Sequence, residues 1–191
     1  MDSLVRDRVV SSDDEELILV DEADREIGHR SKGACHDGDG ILHRAFSLFI
    51  FNGAGELLLQ QRSRGKRLWP GYWANSCCSH PRRGETMNEA TRRRLHQELG
   101  LDCPLEFLFK FQYQAKYGTL GAEHELCWVY IGFSDASVRP NVNEIDAWRF
   151  VAPADLDREI VARPQDFTPW LKLEWQRLRC DFNNRLTGAA V

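Results

Sequence analysis

Two short runs constrain this chain more than anything else in it: Asn75-Ser76-Cys77-Cys78-Ser79-His80-Pro81 and Glu123-His124-Glu125. Each holds two reactive side chains two residues apart, Cys78 with His80 and Glu123 with Glu125. A β-strand sends residues i and i+2 out of the same face. With both runs as strands of one sheet, a thiol, an imidazole and two carboxylates converge on one site. That set suffices for metal binding and for acid–base chemistry.

At 191 residues and 42% hydrophobic content the chain fits one domain with a real core. A net charge of -4 argues against a general nucleic-acid or anionic-membrane binder, since both need a basic surface. The six cysteines lack the paired CxxC spacing of a structural zinc site, and a disulfide framework is unusual in a chain this long. Reduced thiols, and so the cytoplasm, are expected. Residues 1–16 show no secretory signal, and no apolar run approaches the roughly 20 residues that span a bilayer.

Strands are expected at residues 16–21, 46–51 and 57–62, the last two joined through the turn residues Asn52-Gly53-Ala54-Gly55. Residues 69–73 read as an aromatic turn leading into the cysteine run. Thr86 and Glu89 have capping-box spacing and Gly100 can close a C-terminus, which predicts a helix between them. Further strands are expected at 107–117, 124–133 and 146–151. A last helix starts at Thr168-Pro169, with Leu171, Trp175, Leu178 and Phe182 at helical spacing. The sum is an α+β domain over residues 16–183, with a mixed central β-sheet flanked by helices and N-terminal strand additions. An acidic flexible tail at 1–15 and a flexible end at 184–191 complete the expected organisation.

The predicted helix carries Arg93, Leu95, Glu98 and Gly100, with Glu85 ahead of it, and so resembles the Nudix box. The box is damaged: Ser79 stands for its first Gly, and Arg94 and Gln97 replace two helix glutamates. Nudix hydrolases hold several Mg²⁺ ions with those carboxylates, so their loss weakens hydrolysis as a reading. Lys32, His36 and His43, then Arg62, Lys66 and Trp69-Pro70-Gly71, then the Cys78–His80 run, Glu98, Tyr113, Glu123, Glu125 and Pro169-Trp170 follow in order. Together they resemble type 1 isopentenyl-diphosphate isomerase, a divergent Nudix-fold enzyme, over nearly the whole chain.

The resemblance implies a metal site of His36, His43, His80, Glu123 and Glu125. That His₃Glu₂ set suits Mn²⁺ or Mg²⁺, with Zn²⁺ as an alternative. Taken singly each histidine is more often a surface or core residue; taken together they favour metal. His29, His96 and His124 match no family ligand. The resemblance further makes Glu125, assisted by Tyr113, and Cys78 the acid–base groups on opposite faces of an alkene. The sequence leaves the direction of proton transfer open. Cys77, pointing to the opposite face, is expected to be a buried hydrophobe.

Trp170 is expected over the hydrocarbon, where an aromatic face stabilises a cation, and Trp73 and Tyr113 as further walls of a dry pocket. Lys32, Arg62, Lys66 and Arg94 match positions for the diphosphate. A second Mg²⁺ is expected at Glu98 and the Cys78 carbonyl, arriving with substrate. Arg82, Arg83, Arg92 and Arg93 read instead as a solvated face or salt-bridge partners. The expected partners are isopentenyl and dimethylallyl diphosphate, bound by a monomer, with no nucleic acid or membrane. Two rivals stay open: a Nudix diphosphate hydrolase, and a non-catalytic zinc-stabilised module.

Overall fold

In the computed structural model, residues 9–186 are described; the remainder of both expected tails lies outside them. Thirteen elements follow in chain order: β1 (Glu16–Val20), β2 (Glu26–Ser31), α1 (Lys32–His36), β3 (His43–Phe51), β4 (Leu57–Arg62), β5 (Trp73–Ala74), β6 (Cys77–Ser79), α2 (Met87–Leu99), β7 (Leu105–Lys116), β8 (Ala122–Phe133), β9 (Ile145–Val151), α3 (Pro153–Ala162) and α4 (Pro169–Asp181). All nine strands join one mixed sheet. The expected strand at 16–21 and turn after it prove to be the first half of a hairpin, since Glu16 pairs with Ser31.

Strand β3 organises the sheet. It runs parallel to β8 from His43↔Glu125 to Phe51↔Phe133, and antiparallel to β6 at Ser47↔Cys78. On its far side β8 pairs antiparallel with β7, which sets Tyr113 opposite Glu125 and Ala115 opposite Glu123. Alternation then sorts the side chains. One face of β3 sends Phe46, Leu48 and Ile50 into a core with Ala90, Leu95 and Leu99 of α2. The other sends Phe49 and Phe51 against Leu171, Trp175 and Leu178 of α4. The two helices thus cover opposite faces, as the α+β expectation requires.

Both helices begin as the sequence dictates. The Thr86 hydroxyl accepts from the Glu89 N–H while Glu89 accepts from the Thr86 N–H, a reciprocal capping box, and Gly100 ends α2 in the left-handed region at φ 66. Helix α4 starts at Pro169 behind Thr168, whose side chain makes no capping bond. Among the described residues no helix is long and apolar enough to cross a membrane. All six cysteines are free.

Candidate active site and metal centre

The register pairs of the central strands place His43, Glu125 and Tyr113 in one row across the sheet, on the face that also carries Cys78. His80 lies just past β6 and His36 ends α1. Gly121 makes the approach of α1 possible: a Cβ there would fall 2.3 Å from the His36 carbonyl oxygen, so any side chain would push α1 off the start of β8. As a result the donor atoms of His36, His43, His80, Glu123 and Glu125 all lie within 4.8 Å of one another, and all five residues are buried.

These five fit a metal. His36 Nε2 sits 3.1 Å from Glu123 Oε2, and His80 Nε2 sits 2.9 Å from Glu125 Oε1. His36 Nε2, His43 Nε2 and Glu123 Oε2 are buried without a hydrogen-bond partner, which is costly unless a cation takes their lone pairs. His43 is oriented for that role. Its Nδ1 is 2.7 Å from the Ile41 carbonyl, which only accepts, so the proton is on Nδ1 and the lone pair on Nε2 faces the cluster. Burial, then the neighbouring His36, pushes His43 down to about 3, and burial likewise drives His80 well below the usual imidazole range. Both rings are neutral at ordinary pH, the form a metal would require.

The two carboxylates are driven apart. For Glu123 burial acts upward, but the His36 charge and contact outweigh it and hold the group below the carboxylate range. For Glu125 burial acts upward first and the Glu123 charge adds to it, so its affinity for a proton rises. Tyr113 donates to Glu125 Oε2 at 2.6 Å. Its own phenol is raised by burial and then by Glu125 and Glu123.

A cavity of about 560 Å³ opens above the cluster, within the range of small-molecule pockets. Cys78, Glu125, Tyr113 and Trp170 line it, as do Lys32, Arg62, Lys66 and Arg94. Cys78 is half-buried, and its Sγ is 2.7 Å from Asn75 Oδ1 and 3.2 Å from Trp170 Nε1, whose N–H donates to it. Cys77 is fully buried in the opposite core, as alternation predicts.

The cationic end is crowded. Burial, then the charges of Lys66 and Arg94, pulls Lys32 down to about 8, so an incoming anion relieves mutual repulsion. The chain's own oxygens hold these cations meanwhile: Ser11 receives Lys32, Glu144 receives Lys66, and Arg94 meets Glu98 and the Val10 carbonyl. Arg62 donates to the Trp69 and Leu68 carbonyls and lies 5.1 Å from the Trp170 ring centre, so it braces the aromatic wall as well as lining the cavity.

The sequence reading needs one correction here. Trp73 does not line the cavity; it packs on the α4 side of the core beneath Arg149. Tyr113 and Trp170 line the cavity instead, and Trp69 backs that wall, edge-on to Trp170 at 5.3 Å between ring centres. Trp69 takes φ 47, a region non-glycine residues seldom enter, because the chain turns sharply before Pro70. Glu98 lies behind its pairing with Arg94 and does not line the cavity, whereas Cys78 does.

The NUDIX domain family model matches residues 41–171. The chain is 45% identical over 163 residues to Isopentenyl-diphosphate Delta-isomerase 1 of Photorhabdus laumondii, covering 84% of this chain and 93% of that protein. The chain belongs to the isopentenyl-diphosphate Delta-isomerase family. The namesake from Burkholderia multivorans is 42% identical over 157 residues, with 82% of this chain and 89% of that one covered. A solved Deinococcus radiodurans protein superimposes with a TM-score of 0.70 at 27% identity, over 85% of this chain and 98% of its own. The MutT protein of Methanosarcina mazei, at 18% identity and TM-score 0.57, shares the fold over 75% of this chain and 96% of its own.

Within this family's fold the helix residues behave as charge pattern alone suggested: Arg93 pairs with Glu85 at 2.5 Å and Arg92 with Asp102 at 3.3 Å, both away from the cavity. His96 is exposed and His29 pairs with Glu26 at 2.9 Å. Sequence reasoning missed Asn75, Ser47, Glu144 and Glu174. Asn75 stood inside the run already singled out; the other three carry no local signal.

Proposed function

We propose that this chain interconverts isopentenyl and dimethylallyl diphosphate by adding a proton to one carbon of the allylic unit and removing one from another. One observation carries the reading. Two groups able to exchange a proton, Cys78 and the Tyr113–Glu125 pair, line a single cavity that Lys32, Lys66 and Arg94 also line.

An alkene is a very weak base, so the donor must still hold its proton when the alkene arrives and must be kept dry. Glu125, with its hydrogen bond from Tyr113, is our donor, and the Cys78 sulphur takes the second proton as its thiolate, ending as the neutral thiol. A tertiary carbocation, or something near it, forms between them. Trp170, which reaches Cys78 through its indole N–H and backs onto Trp69, offers a π-face to that cation, worth roughly 0.5–2 kcal/mol or more when desolvated. The same walls exclude water, which would trap the cation as an alcohol. Lys32, Lys66, Arg94 and Arg62 fix the diphosphate and so the position of the alkene.

A divalent ion held by His36, His43, His80, Glu123 and Glu125 would set the charge and acidity of the Glu125 carboxyl; Mg²⁺, Mn²⁺ and Zn²⁺ are all compatible with the donor set. Glu98 and the Cys78 carbonyl are our candidates for a second Mg²⁺ that comes with the diphosphate, which asks Arg94 to release Glu98. The six free cysteines support a reducing, cytoplasmic setting.

Proton NMR of isopentenyl diphosphate in D₂O with the protein and each metal tests the proposal. Formation of the dimethylallyl isomer with deuterium incorporated is expected. Phosphate release without isomer, or no change with any metal, would sink it.

A further inference from the structure

Behind the Cys78 sulphur the sheet carries a file of side chains that the reaction leaves unused. Ser47 of β3 stands in register with Cys78, and its Oγ is 3.6 Å from that Sγ. Cys127 Sγ of β8 is 3.5 Å from Ser47 Oγ and 3.5 Å from Glu174 Oε1, which descends from α4. Ser47, Cys127 and Glu174 are each 1% exposed, and none of them lines the cavity. Glu174 sits between Leu171, Trp175 and Leu178 on the apolar face of its helix, and its Oε2 is buried without a partner. A carboxyl in that place is costly to keep, which points to a use.

We infer that Glu174 is a positioning residue for Cys78, setting through Cys127 and Ser47 which way the hydrogen bonds run at the reactive sulphur. Ser47 and Cys127 each carry a single transferable hydrogen, so a choice made at one end passes to the other. Burial keeps the Glu174 proton in place up to about 8, against the pull of Ser47 and Cys127. While the carboxyl is neutral, the Cys127 thiol can donate to Ser47, and Ser47 to the Cys78 sulphur. That sulphur donates its own hydrogen to Asn75 Oδ1 and receives the Trp170 N–H; the two donors, Ser47 and Trp170, favour the form that accepts a proton. An ionised Glu174 is the strongest acceptor in the file. It draws the Cys127 proton, frees Ser47 from its orientation, and adds negative charge facing Cys78, Cys127 and Glu125.

The role assigned to Cys78 rests on the isomerase reading, so the test reads the thiol directly. Iodoacetamide alkylation of Cys78 is followed by peptide mass spectrometry on the full chain, in wild type, Glu174→Gln and Ser47→Ala. Glu174→Gln keeps the shape and stays neutral. The ratio of its rate to wild type, which cancels thiol chemistry common to both, is expected within about twofold near pH 6.5 and to rise about fivefold or more by about pH 9. Ser47→Ala, which removes the donor, is expected to slow alkylation about threefold at neutral pH with an unchanged KM for isopentenyl diphosphate. A ratio flat across that range, or an unchanged rate in Ser47→Ala, overturns the inference. Should the wild type fail to isomerise, the alkylation ratios still decide this coupling; should it isomerise with a flat ratio, this inference alone falls.

Discussion

Tyr113 donates its hydroxyl proton to Glu125 Oε2 at 2.6 Å, across the register pair that β7 and β8 form at those two residues. The other oxygen of the same carboxyl faces the His80 ring at 2.9 Å. Glu125 thus stands between a phenol and a candidate metal ligand; sheet register fixes the first distance, and the chain just past β6 carries His80 to the second.

Removing the phenol therefore tests the proton-donating end. Tyr113→Phe keeps the ring contacts with Phe111 and Trp170 and deletes only the hydroxyl. A buried hydrogen bond to a carboxylate contributes roughly 1.5–3 kcal/mol, so kcat should fall about 10- to 100-fold with little change in KM. Steady-state kinetics check this, and a kcat within about twofold of wild type removes Tyr113 from the mechanism.

Metal removal should abolish turnover without unfolding the chain. The His₃Glu₂ cluster lies at one end of the sheet, while two apolar cores, one under α2 and one under α4, stand apart from it. After chelation, far-UV circular dichroism should persist and activity should return with a divalent ion. Restored ion at about 100 times its Kd should stabilise the fold by about 2.7 kcal/mol, seen as a higher Tm. Collapse of the fold on chelation would instead favour a structural zinc module.

Much of this was legible in sequence because local rules decide it. The capping box at Thr86 and Glu89, the turn at Asn52-Gly53 and the alternation of Cys77 and Cys78 each depend on a few neighbouring residues, and each appears in the fold. The five candidate metal ligands were found because spacing and family order marked them. Trp73 was misplaced because an aromatic run does not reveal which ring a sharp turn at Trp69 sends inward. Glu174 was invisible for a different reason. It sits at a buried position of an amphipathic helix, and a carboxyl there looks like solvent-facing charge until β3 and β8 are seen opposite it.

The helix that carries the altered Nudix box should be sensitive at both ends. Thr86→Ala removes one half of the capping box and should cost about 1 kcal/mol. Gly100→Ala should cost more, because φ 66 strains any Cβ and this one would lie 2.9 Å from Arg139 Cβ. Urea unfolding gives both values. Equal, negligible losses would mean that packing against Phe46 and Leu48 alone holds α2.

Glu174 should also leave a mark on stability, with a sign that identifies it. The unfolded chain ionises this carboxyl near 4.5, whereas the folded chain keeps the proton to about 8. Between those values the folded state binds more protons, so this group's contribution is fully present below about pH 4.5 and lost as pH rises through about 8. His43 and His80, buried and neutral, act in the opposite sense, lowering stability towards acid. Comparing wild type with Glu174→Gln cancels those histidines and isolates the carboxyl. The gap in unfolding free energy should widen in favour of Glu174→Gln by a few kcal/mol between about pH 5 and pH 8.5. Urea titrations at several pH values check it, and parallel curves would mean that Glu174 ionises as freely in the folded chain as in the unfolded one.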